Sequence, residues 1–291
     1  GLESLPDDLV EVPLWRENGY VLFYANGTIK WEYNNGRYIH LQNVYSNYGC
    51  YFLTEGEELP MEFPKETLQP TNSSVYTSYN DYALYEKEKK SLCSYGRKLV
   101  DSDAFSQSQG RKKNFKFGLD GAVEGEALVD LSFATGGETK SNVAIVYEDA
   151  NGTKSLGSLT LGRRVSGEVG KFAEGKFTLS NGVAEDFGLS LTHVVDDNSL
   201  MGYLDFIRIN YRRSLALHSS STLFRGDLNK DENAVFEITG CNANTKVWNV
   251  TSPTEIKELV GTLNGATYSV VAPASAEANL VAVDINGSFP S

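Results

Sequence analysis

Residues 114–133, NFKFGLDGAVEGEALVDLSF, carry the pattern from which the fold is read. In NFKFGL the apolar residues Phe115, Phe117 and Leu119 stand two apart; in ALVDLSF, Val129, Leu131 and Phe133 repeat the spacing. Successive side chains of a strand point to opposite faces, so this alternation marks strands with one face in a core. The pattern continues downstream through NVAIVY (142–147), GSLTLG (157–162) and GKFTLS (175–180), with Gly or Asn between the runs. GLSLTHVV (188–195) aligns Leu189, Leu191, His193 and Val195, and MGYLDFIRINY (201–211) is partly apolar on both sides, which suggests a central strand. Many short strands at this spacing predict an all-β chain of β-sandwich or jelly-roll units.

Turn chemistry supports the same class. Asn-Gly occurs at Asn18, Asn26, Asn35, Asn151, Asn181, Asn264 and Asn286. Both residues tolerate the positive φ of the type I′ turn, so Asn-Gly between apolar runs reads as a hairpin. One such hairpin is expected from YVLFYA (20–25), a turn at Asn26-Gly27, and IKWEY (29–33), with further strands in YIHLQNVY (38–45) and CYFLTE (50–55). Residues 56–80 hold prolines and a Ser/Thr/Asn cluster and read as a long loop, while DYALYEKEKKSL (81–92) is the best helix candidate. A polar stretch, 218–233, reads as a linker into a final unit with runs AVFEIT, KVWNVT, ATYSVVA and NLVAVDI. The expected organisation is an N-terminal β region (1–85), a jelly-roll-like sandwich (86–217) and a small C-terminal β-sandwich (218–291).

Composition narrows the partners. The chain has 291 residues with 26 Lys+Arg against 38 Asp+Glu, a net charge of −12. Nucleic acid is excluded as an expected partner, because phosphate binding needs a basic face. No apolar run reaches the ~18 residues of a membrane helix, so the chain is not expected to span a membrane by a helix.

Chemistry-bearing residues are sparse. Cys50, Cys93 and Cys241, and His40, His193 and His218, lie far apart and form no metal-ligand spacing. A hydrolytic triad needs a nucleophile, a His within reach and an orienting carboxylate. His193 with Asp196 and Asp197, or His218 beside Ser219 to Ser221, would supply one, but there is no GxSxG elbow, and His193 alternates with core leucines. Asp227, Asn229 and Asp231 are spaced two apart, as in a calcium loop, but the sixth and twelfth positions are Glu232 and Ile238 instead of the Gly and acid of an EF-hand. No cofactor is expected; Ca²⁺ held by this loop is the single candidate, and a solvated turn is the simpler reading. Arg225-Gly226-Asp227 spells an integrin-binding tripeptide, for which a turn is the simpler reading. Three Trp, 16 Tyr and 14 Phe provide rings that could stack on sugars, although most must be core.

Several segments together resemble a known family. LPDDLVEVPLW (5–15), YVLFYANGTIKWEY (20–33), HLQNVYSNYGCYFLT (40–54), YEKEKKSLCSYGRKL (85–99), YLDFIRINYRR (203–213), LFRG (223–226) and KVWNVTSP (246–253) are similar, in order, to the N-terminal region of gingipain-like cysteine peptidases. The nearest member type is the type IX secretion system sortase of Bacteroidota. Cys50 departs from the family, which tends to carry an aromatic residue there. The resemblance implies an internal fragment whose catalytic Cys/His pair lies beyond Ser291, so no catalytic residue is expected within it. It further implies a β scaffold that positions secreted protein substrates or docks the peptidase domain of the same polypeptide. The parent would be a cysteine endopeptidase or sortase, located extracellularly, at the cell surface or on the periplasmic side of the outer membrane. The alternatives are an independent surface module that binds carbohydrate or protein, and a stand-alone hydrolase using His193 or His218.

Overall fold

The seven alternating runs of the middle segment, with one strand ahead of them, form eight strands: β1 (Ser78–Glu86), β2 (Lys112–Gly118), β3 (Ala127–Thr135), β4 (Ser141–Asp149), β5 (Gly152–Leu161), β6 (Lys171–Leu179), β7 (Asp186–Val195) and β8 (Gly202–Ser214). They appear in a computed structural model describing residues 10–17, 19–43, 46, 48–57, 59–92, 98–149, 152–165, 167–227 and 232–289. No helix occurs among the described residues, and the fold class is all-β. The chain divides into two compact units, one of residues 1–80 with 214–291, the other of residues 81–213.

In the unit of residues 81–213 the sheet orders are β2-β7-β4-β5 and β6-β3-β8-β1. This is the strand order of a jelly roll, in which two Greek keys wrap a common core. Register explains the alternation: Phe115 pairs with Leu189 and Phe117 with Phe187, while Val129 pairs with both Phe177 and Ile209. Phe115, Phe117, Leu119, Val129, Leu131, Phe133, Leu189 and Leu191 accordingly share one buried cluster. β8 lies between β3 and β1; Leu204, Ile207, Ile209 and Tyr211 enter the core, while Asp205, Arg208 and Asn210 are buried polar residues of the same strand. The helix expected over 81–92 is instead β1 to Glu86, followed by Lys90–Ser91 paired with Leu99–Val100. Ala83 and Tyr85 pack on the core at period two, and that spacing overrides the weak helical stripe.

The other unit is a second sandwich. One sheet has the order Ser221–Phe224, Leu280–Asp284, Thr245–Asn249, Lys257–Leu259, Lys65–Glu66; the other, Thr262–Asn264, Thr267–Pro273, Asn233–Ile238, Val75–Tyr76. The segment expected as loop (56–80) thus supplies an edge strand to each sheet, both parallel, Lys65 opposite Glu258 and Val75 opposite Val235. The polar stretch taken as a linker contains the strand Ser221–Phe224, paired with Leu280–Val283. The expected boundaries at 85 and 217 therefore give way to a C-terminal sandwich completed by N-terminal residues.

That completion has an apolar cause. In the five-stranded sheet Val247, Leu259, Leu280 and Ala282 face the inter-sheet core with Phe224 and Phe236. Trp248, Val281 and Val283 face the other way, and Trp15, Phe63 and half-buried Leu22 cover them. Phe63 meets Trp248 edge-on at 4.9 Å between ring centroids, and Trp15 lies 6.5 Å from it. A sheet apolar on both faces needs cover on both, and the N-terminal segment provides the second.

The N-terminal hairpins differ from expectation. Trp15–Glu17 pairs with Tyr20–Leu22, and Ile29–Asn34 with Arg37–Gln42, so Asn26-Gly27 joins two hairpins rather than closing one. Asn35 and Gly36 have φ of 49° and 81°, as a type I′ turn demands. CYFLTE (50–55) forms no strand, and Phe52 and Leu53 are exposed.

Candidate functional site

His193 is buried in the jelly roll, with Nε2 3.0 Å from Ser141 Oγ and Nδ1 3.5 Å from the Phe105 carbonyl oxygen. Its ring packs against Phe133 at 5.4 Å. Burial pushes its pKa down to about 4, with the Arg111 charge acting in the same direction and the Phe105 carbonyl opposing. A base protonated only in acid, enclosed by a core phenylalanine and a serine, serves structure. Asp197 is exposed and accepts hydrogen bonds from Ser199 N–H at 2.8 Å and Ser199 Oγ at 2.7 Å. Those bonds hold its carboxyl below the usual range.

His218 is 3.0 Å from the Ser214 carbonyl oxygen through Nε2, and Ser219 Oγ donates to the Ser221 carbonyl at 2.9 Å. His40 lies against Trp31, 5.8 Å between rings. Cys241 is buried, and burial pushes its thiol up, the opposite of an activated thiolate. Cys50 is exposed, and Cys93 lies outside the described residues.

Of the calcium-loop residues, Asp227 accepts a 2.6 Å hydrogen bond from Tyr76 OH, whereas Asn229 and Asp231 lie outside the described residues. Among the described residues no group of three or more His, Cys, Asp or Glu side chains is placed to hold a metal. The tripeptide reading of Arg225-Gly226-Asp227 fails on burial. Arg225 is 5% exposed, its guanidinium sits 4.9 Å over the Tyr38 ring, and its Nε donates to Asn279 Oδ1 at 2.9 Å. A Cβ on Gly226 would lie 1.9 Å from the Ala274 carbonyl oxygen, so this glycine answers a close backbone approach.

Two clefts lie in the unit of residues 1–80 and 214–291. One, of about 210 Å³, is lined by Arg16, Glu62, Lys65, Lys246 and Glu258 beside Trp15 and Phe63. Its charges answer one another: Arg16 with Glu62 at 3.3 Å, and Glu258 with Lys65 at 3.9 Å and Lys246 at 3.8 Å. The other, of about 350 Å³, lies between the Ile29–Gln42 hairpin and the 276–279 turn. Trp31 and Tyr33 form its aromatic side, Tyr38 and Arg225 are buried beneath, and Lys30, Glu32, Glu277 and Asn279 contribute polar groups. Sequence reasoning missed this second site. The hairpin turn at Asn35-Gly36 was visible as a motif, but the partner surface comes from residues more than 180 positions later.

No protein-family model matches the chain, and no curated protein matches it in sequence. Among solved structures, the chain is similar to the crystal structure of dimeric latent PorU from Porphyromonas gingivalis, at a TM-score of 0.83 and 22% identity over 98% of this chain. A TNF structure, Eiger from S. frugiperda, aligns at a TM-score of only 0.27 and 9% identity, over 46% of this chain and 92% of that one. The chain spans 28% of the length of the PorU chain it matches, and what the two share at this identity is the fold.

Proposed function

We propose that the chain is a non-catalytic β scaffold of a longer secreted polypeptide related to the type IX secretion sortase and the gingipain-like cysteine peptidases. The observation that carries this reading is the likeness to the PorU structure along 98% of the chain, which occupies 28% of that structure's length. The order of the resembling segments, from 5–15 to 246–253, agrees with it. In this reading the two sandwiches position protein substrates or partners for a peptidase domain of the same polypeptide, on the extracellular or periplasmic side of the outer membrane. The thiol and imidazole environments support a role without chemistry of its own. Cys241 is buried with its thiol pushed up, and His193 is enclosed between Ser141 and Phe133.

The test is the size of the native polypeptide, by immunoblotting the source cell envelope with antibody raised to this chain. A band several-fold above 32.0 kDa is expected, and a band at that mass overturns the proposal. Purified chain is expected to leave peptide reporters intact under reducing conditions; thiol-dependent cleavage by the chain alone also overturns it.

A further inference from the structure

The cleft under the Ile29–Gln42 hairpin has the chemistry of a polyol site. Trp31 stands opposite His40 and Tyr33 opposite Tyr38, so all four rings share one face of the hairpin. Tyr38 anchors that face: it is 2% exposed, its OH donates to the Ala276 carbonyl at 3.0 Å, and its ring lies under Arg225. Trp31 and Tyr33 are only half-buried, leaving part of their surface on a 350 Å³ cleft. Such a volume falls at the lower end of small-molecule sites.

The polar groups are matched in sign. One cation, Arg225, is balanced by one carboxylate, Glu277, and Asn279 adds an amide, while Lys30 and Glu32, at the alternate positions of the strand, pair with each other at the rim. Lys30 Nζ lies 3.0 Å from Glu32, and Arg225 holds Asn279 through its Oδ1. A balanced set gives little net attraction to an ion. It offers both donors and acceptors beside flat π surfaces, which complements a ligand with hydroxyls around its edge and C–H groups on its face.

We propose that this cleft binds a neutral saccharide, stacked on Trp31 and Tyr33 and hydrogen-bonded by Glu277 and Asn279.

The experiment is titration of the purified chain with maltotriose, tri-N-acetylchitotriose and trigalacturonate, followed by calorimetry and tryptophan fluorescence. Trp15 and Trp248 belong to a separate buried cluster, so a fluorescence change lost on replacing Trp31 reports the cleft. At least one neutral trisaccharide is expected to bind in the millimolar range or tighter, and trigalacturonate more weakly. Trp31→Ala and, independently, Glu277→Ala at an exposed turn are each expected to lower affinity about tenfold, a loss of about 1.4 kcal/mol. Circular dichroism confirms that both variants are folded. Absence of binding by both neutral sugars at about 10 mM, or binding unchanged in both variants, overturns the proposal.

Discussion

His193 holds its place by exclusion from water and by Ser141, 3.0 Å from its Nε2. Because burial pushes its pKa in the folded chain down to about 4, from the ordinary imidazole value of about 6.5, the unfolded chain binds more protons between those values. The stability that His193 contributes is therefore complete above about pH 6.5 and is lost as pH falls toward 4. His193→Gln is expected to flatten that dependence, read as Tm against pH beside the parent chain. Asp130 and Arg208 test a different balance. They are buried, with Arg208 Nη2 and Nε donating to Asp130 Oδ2 at 2.6 and 3.1 Å. Removing one partner strands a buried charge, so Arg208→Met is expected to cost about 3–5 kcal/mol in urea unfolding. Adding Asp130→Leu is expected to restore much of that loss. The alternation in sequence announced that His193 faces the core. That Asp130 has a cation opposite was not legible, since β3 and β8 are brought together only by the sheet.

At the scale of elements, the cover over Trp248 is the feature on which the N-terminal segment depends. Phe63 is 8% exposed and meets Trp248 at 4.9 Å. Phe63→Ala is expected to destabilise the unit by about 3–5 kcal/mol, measured by denaturant unfolding, with an unchanged m-value if the rest of the fold persists. The hairpin that carries Trp31 depends on its turn. Gly36 at φ 81° has open space where a Cβ would stand, so Gly36→Ala costs backbone strain alone, about 1 kcal/mol. Asn35-Gly36 was readable because the motif contains both positive-φ residues. Asn26-Gly27 misled for the opposite reason: turn chemistry permits a hairpin, and pairing chooses where one forms. Strands of two residues, Lys65–Glu66 and Val75–Tyr76, carry no period at all and were invisible until sheet edges received them.

For the whole molecule, residues 1–80 and 214–291 make up one compact unit, and the jelly roll is the continuous stretch of sequence between those two segments. A polypeptide of residues 78–214 contains all eight sandwich strands and is expected to unfold in one cooperative transition by circular dichroism. Residues 214–291 alone lack Lys65–Glu66, Val75–Tyr76 and the Trp15 and Phe63 cover, so they are expected to stay molten or aggregate under the same conditions. A cooperative transition from that fragment would show that the N-terminal cover is dispensable. By itself the sequence determined the β class, seven of the eight jelly-roll strands and their inward faces, because period-two burial is written locally in runs such as NFKFGL and ALVDLSF, whereas β1 was concealed in a segment that reads as loop and helix. Tertiary structure alone decided which distant segment completes each sheet, the Asp130–Arg208 pair, and the cleft between Trp31 and Asn279. Those depend on contacts between residues far apart in the chain, where one side of the contact leaves no periodic trace in the other.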